Sequence, residues 1–318
     1  MNQRRIVLIG GAGFIGSALA NRLSAADAKV IIPTRRRSRA GHVLLLPNVE
    51  VVEVDVHDPA ALDALLAGAD AVVNLVGVLH SRPGTPFGPD FARNHVELPQ
   101  KIVTACRNAG VRRLIHISAL GAAADGPSEY QRSKAAGETA IRAAGPDVAW
   151  TILRPSVVFG RGDSFLNLFA GLAAVFPVLP LAGAGTRFQP VYVEDVAEAV
   201  CQSLARPEAE GQTYELAGPT VYTLRQLVEY VSALVDKPRP VIALPDGLAM
   251  VQARLMELAP QPLMSRDNVR SMKVDNVASG EPLPFGLPPT SLESVAPAWL
   301  GQQGTRAHYY PFRRLARR

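Results

Sequence analysis

A glycine cluster at the junction of two apolar patterns constrains this chain more than any other feature. The run Ile6 to Ile9 leads straight into Gly10-Gly11-Ala12-Gly13-Phe14-Ile15-Gly16, after which Ile15, Leu19 and Leu23 recur at helical spacing. The pattern is strand, turn, helix, and its glycines sit where a side chain would interfere. Gly10 permits the tight turn, Gly13 lets the backbone approach a pyrophosphate, and Gly16 lets the helix pack closely on the strand. The free N–H groups and the positive dipole end of that helix favour an anion. Arg4-Arg5 ahead of the run imitates the start of a secretory signal peptide. The glycines break any apolar helix, however, so the segment reads as strand plus phosphate loop.

The same alternation continues. Val30 to Ile32 reads as a second strand and Val49 to Val56 as a third. A helix follows around Ala60 to Leu66, then a strand from Ala71 to Val76 and a helix from about Pro99 to Ala109. Leu114 to Ile117, a helix over roughly Glu129 to Ala143, and Trp150 to Leu153 complete the series. Near-continuous apolar strands between helices predict an α/β fold, with a parallel, doubly wound Rossmann sheet covered on both faces. Asp195 is in place to cap a helix carrying Val196, Val200 and Leu204, and Thr213 to Leu216 reads as a late strand of the sheet. Thr223 and Gln226 form a capping box ahead of Leu224, Leu227, Val228 and Val231, and Pro238 stops that helix. The resulting division is a dinucleotide-binding domain over 1–155 with 191–217 returning to it. Residues 156–190 and 218–318 make a smaller substrate lobe.

The composition narrows the classes. A chain of 318 residues, 48% apolar, is an ordinary globular protein. Its two cysteines, Cys106 and Cys201, lie in apolar helical patterns and suit a reducing cytoplasm. The histidines show no spacing that would hold zinc. The uncharged stretch Ser164 to Thr186 is long enough to span a bilayer. Its prolines and glycines read instead as a buried helix and loop lining a substrate cleft. Much of the net charge of +5 sits in Arg35, Arg36, Arg37 and Arg39 and in a tail with Arg313, Arg314, Arg317 and Arg318. The tail reads as solvated surface, and nothing here points to nucleic acid.

The first arginine cluster follows the second strand, where an Asp or Glu would bond the ribose of NAD. Pro33-Thr34-Arg35-Arg36-Arg37 stands there instead, and guanidinium groups match a 2′-phosphate. One such bond, worth about 1.5 to 3 kcal/mol, gives a tenfold to hundredfold preference. The cofactor expected is therefore NADP(H) rather than NAD(H). Tyr130-Gln131-Arg132-Ser133-Lys134 places a phenol and an ammonium on one helix face. A tyrosine acting as a base near neutrality must lose about 3 pKa units, roughly 4 kcal/mol. An ammonium about 4 Å away supplies that at an effective dielectric near 20. Asn94 and His95 precede a helix and read as capping or surface residues.

These residues, with Asp55-Val56, Asn74 to Gly77, Leu153 to Gly160 and Pro190 to Ala197, resemble the extended short-chain dehydrogenase/reductase superfamily over residues 1 to 235. Asn74-Leu75-Val76-Gly77 and Ile117-Ser118-Ala119-Leu120-Gly121 are similar to an atypical branch. That branch includes the nucleotide-binding accessory subunit of respiratory complex I and its bacterial relatives. The resemblance implies a cofactor held by Gly10, Gly13, Phe14, Ile15, Gly16, Thr34, Arg35, Arg36, Asp55, Val56, Asn74, Val76, Gly77, Ile117, Tyr130, Lys134, Arg154, Pro155, Ser156 and Val157. Tyr130 would be the acid/base, Lys134 would lower its pKa, and Ser118 would hold the substrate oxygen, although Ala119 stands where the family often has a second hydroxyl. Asp163, Phe165, Asn167 and Arg187 are expected to face the substrate. Three functions follow. The first is an NADP(H)-dependent oxidoreductase on a carbonyl or hydroxyl of a small molecule. The second is a non-catalytic NADPH-holding accessory or assembly protein of a membrane redox complex, peripheral at the inner face of the membrane. The third is a nucleotide-sugar epimerase or dehydratase with tightly bound NAD, which the arginines disfavour.

Overall fold

A computed structural model describes residues 4–260 and 262–301. The arginine tail lies outside the described residues. The chain forms two compact units. The first runs to Pro155 and resumes over Val193–Leu216 and Ser279–Leu287. The second holds Ser156–Tyr192, Ala217–Ala278 and, among the described residues, 288–301. No sequence signal announces the return of Ser279–Leu287.

The first unit is a parallel sheet of seven strands. They are β1 (Arg5–Ile9), β2 (Lys29–Thr34), β3 (Val49–Glu53), β4 (Ala71–Asn74), β5 (Arg113–Ile117), β6 (Ala149–Pro155) and β7 (Gln212–Leu216), in the order β7-β6-β5-β4-β1-β2-β3. The order reverses between β1 and β4, and at such a point an open α/β sheet has its ligand crevice. The helices of this unit are α1 (Phe14–Ala25), α2 (Pro59–Leu66), α3 (Leu98–Ala109), α4 (Glu129–Arg142) and α5 (Val193–Ala205). Val7 and Ile9 of β1 bury against Leu62 and Leu66 of α2, Ile102 and Cys106 of α3 and Ile141 of α4. Across the sheet α1 and α5 are joined by Arg22, which bonds Glu194 at 3.1 Å and Glu198 at 2.5 Å. Both cysteines are free thiols.

Parallel strand–helix units bring helix C-termini together at the opposite edge of the sheet, where their carbonyls are unpaired. Arginines satisfy them. Arg5 donates to Leu65 and Ala67 at the end of α2, and Arg107 to Ala143 and Ala144 after α4. Arg4 and the buried Arg113 donate to Leu204 and Ser203 at the end of α5. A cation at a helix C-terminus also complements the dipole.

Some expectations shift. β3 stops at Glu53 and β4 at Asn74, so Asp55, Val56 and Leu75 to Gly77 lie in the loops beyond. Asp195 does not cap α5. That helix starts at Val193, and Asp195 stands inside its first turn.

In the second unit the helix Leu166–Val175 packs on Leu224–Leu234 around Phe159, Leu227, Val231 and Leu292. Thr223 and Gln226 form the anticipated capping box. The uncharged stretch resolves into that first helix, a turn, and the short strand Leu179–Leu181 paired with Val241–Ala243. Among the described residues no helix is long and apolar enough to cross a membrane. A smaller core joins Ala182 to Ala249 and Ala253 of the helix Asp246–Met256 and to Val269.

Candidate cofactor and active site

The glycine loop closes against the switch point. Gly10 takes a left-handed conformation (φ +87°), and a Cβ there would lie 3.1 Å from the Leu75 carbonyl carbon and 3.2 Å from the Val76 nitrogen. Gly13 is the N-cap of α1, with no side chain bonding the helix start. The amides of Phe14, Ile15 and Gly16 follow in the first turn, where helical carbonyls cannot reach them. A Cβ on Gly16 would stand 2.5 Å from the Gly11 Cα and oxygen, so α1 rests directly on the loop. Gly11 is equally crowded, 2.8 Å from the Leu8 Cβ, a constraint the spacing rule did not single out. This bare backbone cradle, facing the positive end of a twelve-residue helix, fits a dinucleotide diphosphate.

After β2, Thr34 Oγ1 accepts the Arg36 amide and donates to the Arg36 carbonyl, holding Arg35 and Arg36 in an exposed turn. The sequence pattern led to the expectation that no carboxylate stands here. One does. Glu53 pairs with Thr34 across β2–β3 and accepts the Arg37 amide at 3.1 Å. It shapes the loop through backbone, leaving the Arg35 and Arg36 side chains pointing to solvent-accessible space. His42 Nε2 lies 2.9 Å from Ser17 Oγ in the first turns of α1, adding an imidazole on the same side. Asp55 accepts the His57 amide and stands 3.8 Å from Arg93.

Beyond β4, buried Asn74 accepts the Val76 amide at 3.2 Å and bonds His116 Nδ1 at 3.1 Å, which fixes the loop leading to Gly77. A Cβ on Gly77 would lie 3.5 Å from Lys134 Nζ. Lys134 is 4% exposed and donates to the Ile117 carbonyl at 3.1 Å, between the ends of β4 and β5. Burial, partly opposed by Glu138, lowers its pKa to about 8. Tyr130 stands one turn earlier on α4. Burial pushes its phenol up to about 12. The expected depression by Lys134 is not found: desolvation is the dominant influence on the phenol, and the ammonium is turned to the Ile117 carbonyl.

His95 is neither cap nor surface residue. It is 2% exposed, within a stretch of π-helix (Ala92–Glu97) that runs into α3. Its ring stacks on Phe91 and meets the Tyr130 ring edge-on at 5.6 Å. Nε2 accepts the Val78 amide at 3.0 Å, so the proton sits on Nδ1 and is donated to Ser133 Oγ at 2.8 Å. Ser133 in turn donates to the Tyr130 carbonyl at 2.8 Å. Burial, then the Lys134 charge, lower the His95 pKa to about 2 and keep the ring neutral. Asn94 donates to the Asp90 carbonyl within the helix.

Ser118 is also committed. It donates to Glu138 at 2.6 Å, and Glu138, 1% exposed, is gripped by Arg154 at 2.7 and 2.6 Å and by Arg142 at 2.9 Å. Ser118 thus has its hydroxyl hydrogen on a carboxylate, and Arg154 has its guanidinium there too. Ala119 and Leu120, next along, are buried and apolar. Glu138 was missed, although its spacing of four from Lys134 and eight from Tyr130 puts it on their face.

Pro155 ends β6. Ser156 and Val157 belong to the second unit, where Asn276 Oδ1 accepts the Ser156 hydroxyl at 2.6 Å and the Val157 amide at 3.0 Å. Asp163, expected to face the substrate, has its carboxylate turned to the backbone at the start of its helix. It is buried and accepts the amides of Gly160, Phe165, Leu166 and Asn167, capping its helix. Phe165 packs on Phe169 and Phe188, Asn167 bonds the Asp163 carbonyl, and Arg187 pairs with Asp275 at 2.7 Å.

The model of the NAD dependent epimerase/dehydratase family matches residues 6–217. The chain is 33% identical over 297 residues to NADH dehydrogenase [ubiquinone] 1 alpha subcomplex subunit 9, mitochondrial, of Rattus norvegicus, covering 90% of this chain and 77% of that protein. It is 32% identical over 261 residues to the ceramide reductase of Caulobacter vibrioides, covering 80% and 78%. Among solved structures, DesIV (dTDP-glucose 4,6-dehydratase) of Streptomyces venezuelae with NAD and TYD bound is similar at TM-score 0.73 and 20% identity. That match covers 96% of this chain and 99% of DesIV.

Proposed function

This chain belongs to the NAD dependent epimerase/dehydratase family, an NAD(P)-binding family, and from that premise we propose that it is an NADP(H)-dependent oxidoreductase acting on a carbonyl or hydroxyl group. The observation that carries the reading is Lys134, an ammonium buried beneath Gly77 with its pKa lowered to about 8 and Tyr130 one turn away. Burying a lysine is costly, and its position beside the cradle gives the cost a use. The amides of Phe14, Ile15 and Gly16 would hold the diphosphate, with Arg35 and Arg36 on a 2′-phosphate. When bound, the cofactor supplies or accepts the hydride. Tyr130 holds the proton to be given to, or taken from, the substrate oxygen. Lys134 draws electron density from the phenol once its ammonium is turned to the tyrosine side. Asn74 and His95 keep the Val76 to Val78 backbone in place. Ser118 acts through Glu138 and does not itself bond the substrate.

A second reading rests on a specific observation. The commitment of Ser118 and the raised Tyr130 pKa favour an NADPH-holding accessory or assembly protein of a membrane redox complex, stationed at the inner face of the membrane. The oxidoreductase would work in the cytoplasm. Tyr130→Phe separates the two. In a screen of ketone, quinone and aldehyde substrates, wild type should oxidise NADPH with at least one. Tyr130→Phe should then lose about 10²- to 10⁴-fold in rate at unchanged NADPH affinity. Survival of both nucleotide binding and cellular role in Tyr130→Phe would replace the first reading with the second.

A further inference from the structure

Two edges bound the adenosine end of a dinucleotide on a sheet of this kind, the end of β2 and the first turns of α1. In the first unit one side chain reaches from the segment after β2 to α1. Thr34 ends β2, and the chain then makes the exposed turn at Arg35 and Arg36, a short 3₁₀ turn over Arg37–Ala40, and Gly41 before it arrives at His42. Ala40 and Val43, 0% and 1% exposed, pin the segment to the core, while His42 between them stays exposed. Its Nε2 lies 2.9 Å from Ser17 Oγ. That bond has a fixed direction. Ser17 has one hydroxyl hydrogen, which it donates to the Gly13 carbonyl at 2.7 Å. Its oxygen therefore accepts from the ring, which places a hydrogen on Nε2 of His42 and leaves Nδ1 as the nitrogen open to a ligand.

The charges around the ring suit an anion. Arg35, Arg36, Arg37 and Arg39 belong to its own segment, the first turn of α1 has no acidic residue, and Glu53 at the end of β3 is turned to the Arg37 amide at 3.1 Å. A neutral ring offers Nδ1 as a lone pair, which repels a phosphate oxygen. A ring with a proton on Nδ1 donates to that oxygen and keeps its bond to Ser17, so a phosphate at this place and a proton on the ring favour each other. We infer that His42 is a specificity-determining residue for NADP(H). On binding, Nδ1 takes a proton from solvent and donates a hydrogen bond to an oxygen of the 2′-phosphate, beside the contacts of Arg35 and Arg36. Ser17 is the positioning residue that turns Nδ1 away from α1. The inference rests on the NADP(H) reading above and adds to it a residue and a proton.

The test is calorimetric titration of the full chain with NADPH and with NADH, in two buffers that differ in heat of ionisation, so that affinity and protons taken up are both read. His42→Ala should lose about three- to tenfold in NADPH affinity and keep its affinity for NADH. Its melting temperature should not move, because the side chain is exposed. Wild type should take up more protons with NADPH than His42→Ala does, a comparison in which the titration of the phosphate itself cancels. Equal affinity of wild type for the two nucleotides would overturn the NADP(H) reading and this inference with it. A wild-type preference for NADPH that His42→Ala leaves intact would overturn this inference alone. Equal losses for NADPH and NADH in His42→Ala would do the same, because the ring would then serve only to hold its segment on α1. So would a proton uptake identical in the two proteins.

Discussion

The imidazole of His95 accepts the amide hydrogen of Val78 at 3.0 Å, which ties the loop beyond β4 to the helix that carries Tyr130. The bond requires a neutral ring, and burial provides one by lowering the His95 pKa to about 2; His116 is held at about 3 for the same reason. Both values lie below the ordinary 6.5, so in acid the unfolded chain binds protons that the folded chain refuses. The stability these rings contribute is complete above pH 6.5 and declines as pH falls toward 3. Each should remove about 1.4 kcal/mol per pH unit in that window. Urea unfolding at pH 7.5, 6.0 and 5.0 measures the slope. His95→Asn and His116→Asn should each flatten it, and a slope unchanged in both would mean the rings titrate normally.

Lys134 is a functional group at odds with stability. Its folded pKa near 8 lies below the unfolded 10.5, so at neutral pH the folded state carries an ammonium it disfavours by about 3 kcal/mol. That penalty is present below pH 8 and lifts as pH rises toward 10.5. Lys134→Met should therefore raise the unfolding free energy at pH 7 by about 1 to 3 kcal/mol after loss of the bond to Ile117, while abolishing turnover. A variant less stable than wild type would show that the lysine holds the fold together.

Arg35 and Arg36 are exposed, so their removal should leave stability within about 0.5 kcal/mol of wild type. For Arg35→Ala the expected change is a tenfold to hundredfold loss of NADPH affinity, about 1.5 to 3 kcal/mol, with NADH affinity little altered. Calorimetric titration with both nucleotides measures it. Equal losses would remove the argument for reading a 2′-phosphate.

Glu138 is the hub of a buried network, and its two kinds of substitution should differ. Glu138→Ala leaves Arg154 and Ser118 without their shared acceptor and should cost about 3 kcal/mol or more. Glu138→Gln keeps an oxygen for Ser118 and an approximate shape, and should cost less than half as much. Denaturant midpoints decide. Equal costs would mean that the carboxylate charge carries the whole contribution and that the oxygen and shape kept by glutamine add nothing.

How much of this was legible varies with distance along the chain. The parallel sheet was readable because each strand and its helix are local and carry their own period, and the Thr223–Gln226 cap was readable because it spans three residues. Tyr130 and Lys134 announce themselves by spacing on one helix. The Arg154 partner of Glu138 does not, because it sits sixteen residues away on another element. Glu53 was hidden for a related reason: only the β2–β3 register brings it beside Thr34. The capping bonds of Asp163 were not legible because a capping carboxylate and a substrate-binding one look alike until their N–H partners are known. The second unit was least legible, since its ribbons of two or three residues are too short to show a period.

The π-helical stretch Ala92–Glu97 winds more residues into its turn than the helix it joins. That surplus rotates everything upstream relative to everything downstream. Phe91 and His95 are thereby aimed at the Tyr130 ring, while Ile102 and Cys106 keep their phase against the sheet. Deleting one residue from the stretch would restore an ordinary helix and force a choice between the two alignments. Insertions and deletions there are consequently far less neutral than the smooth outline of a continuous rod would imply.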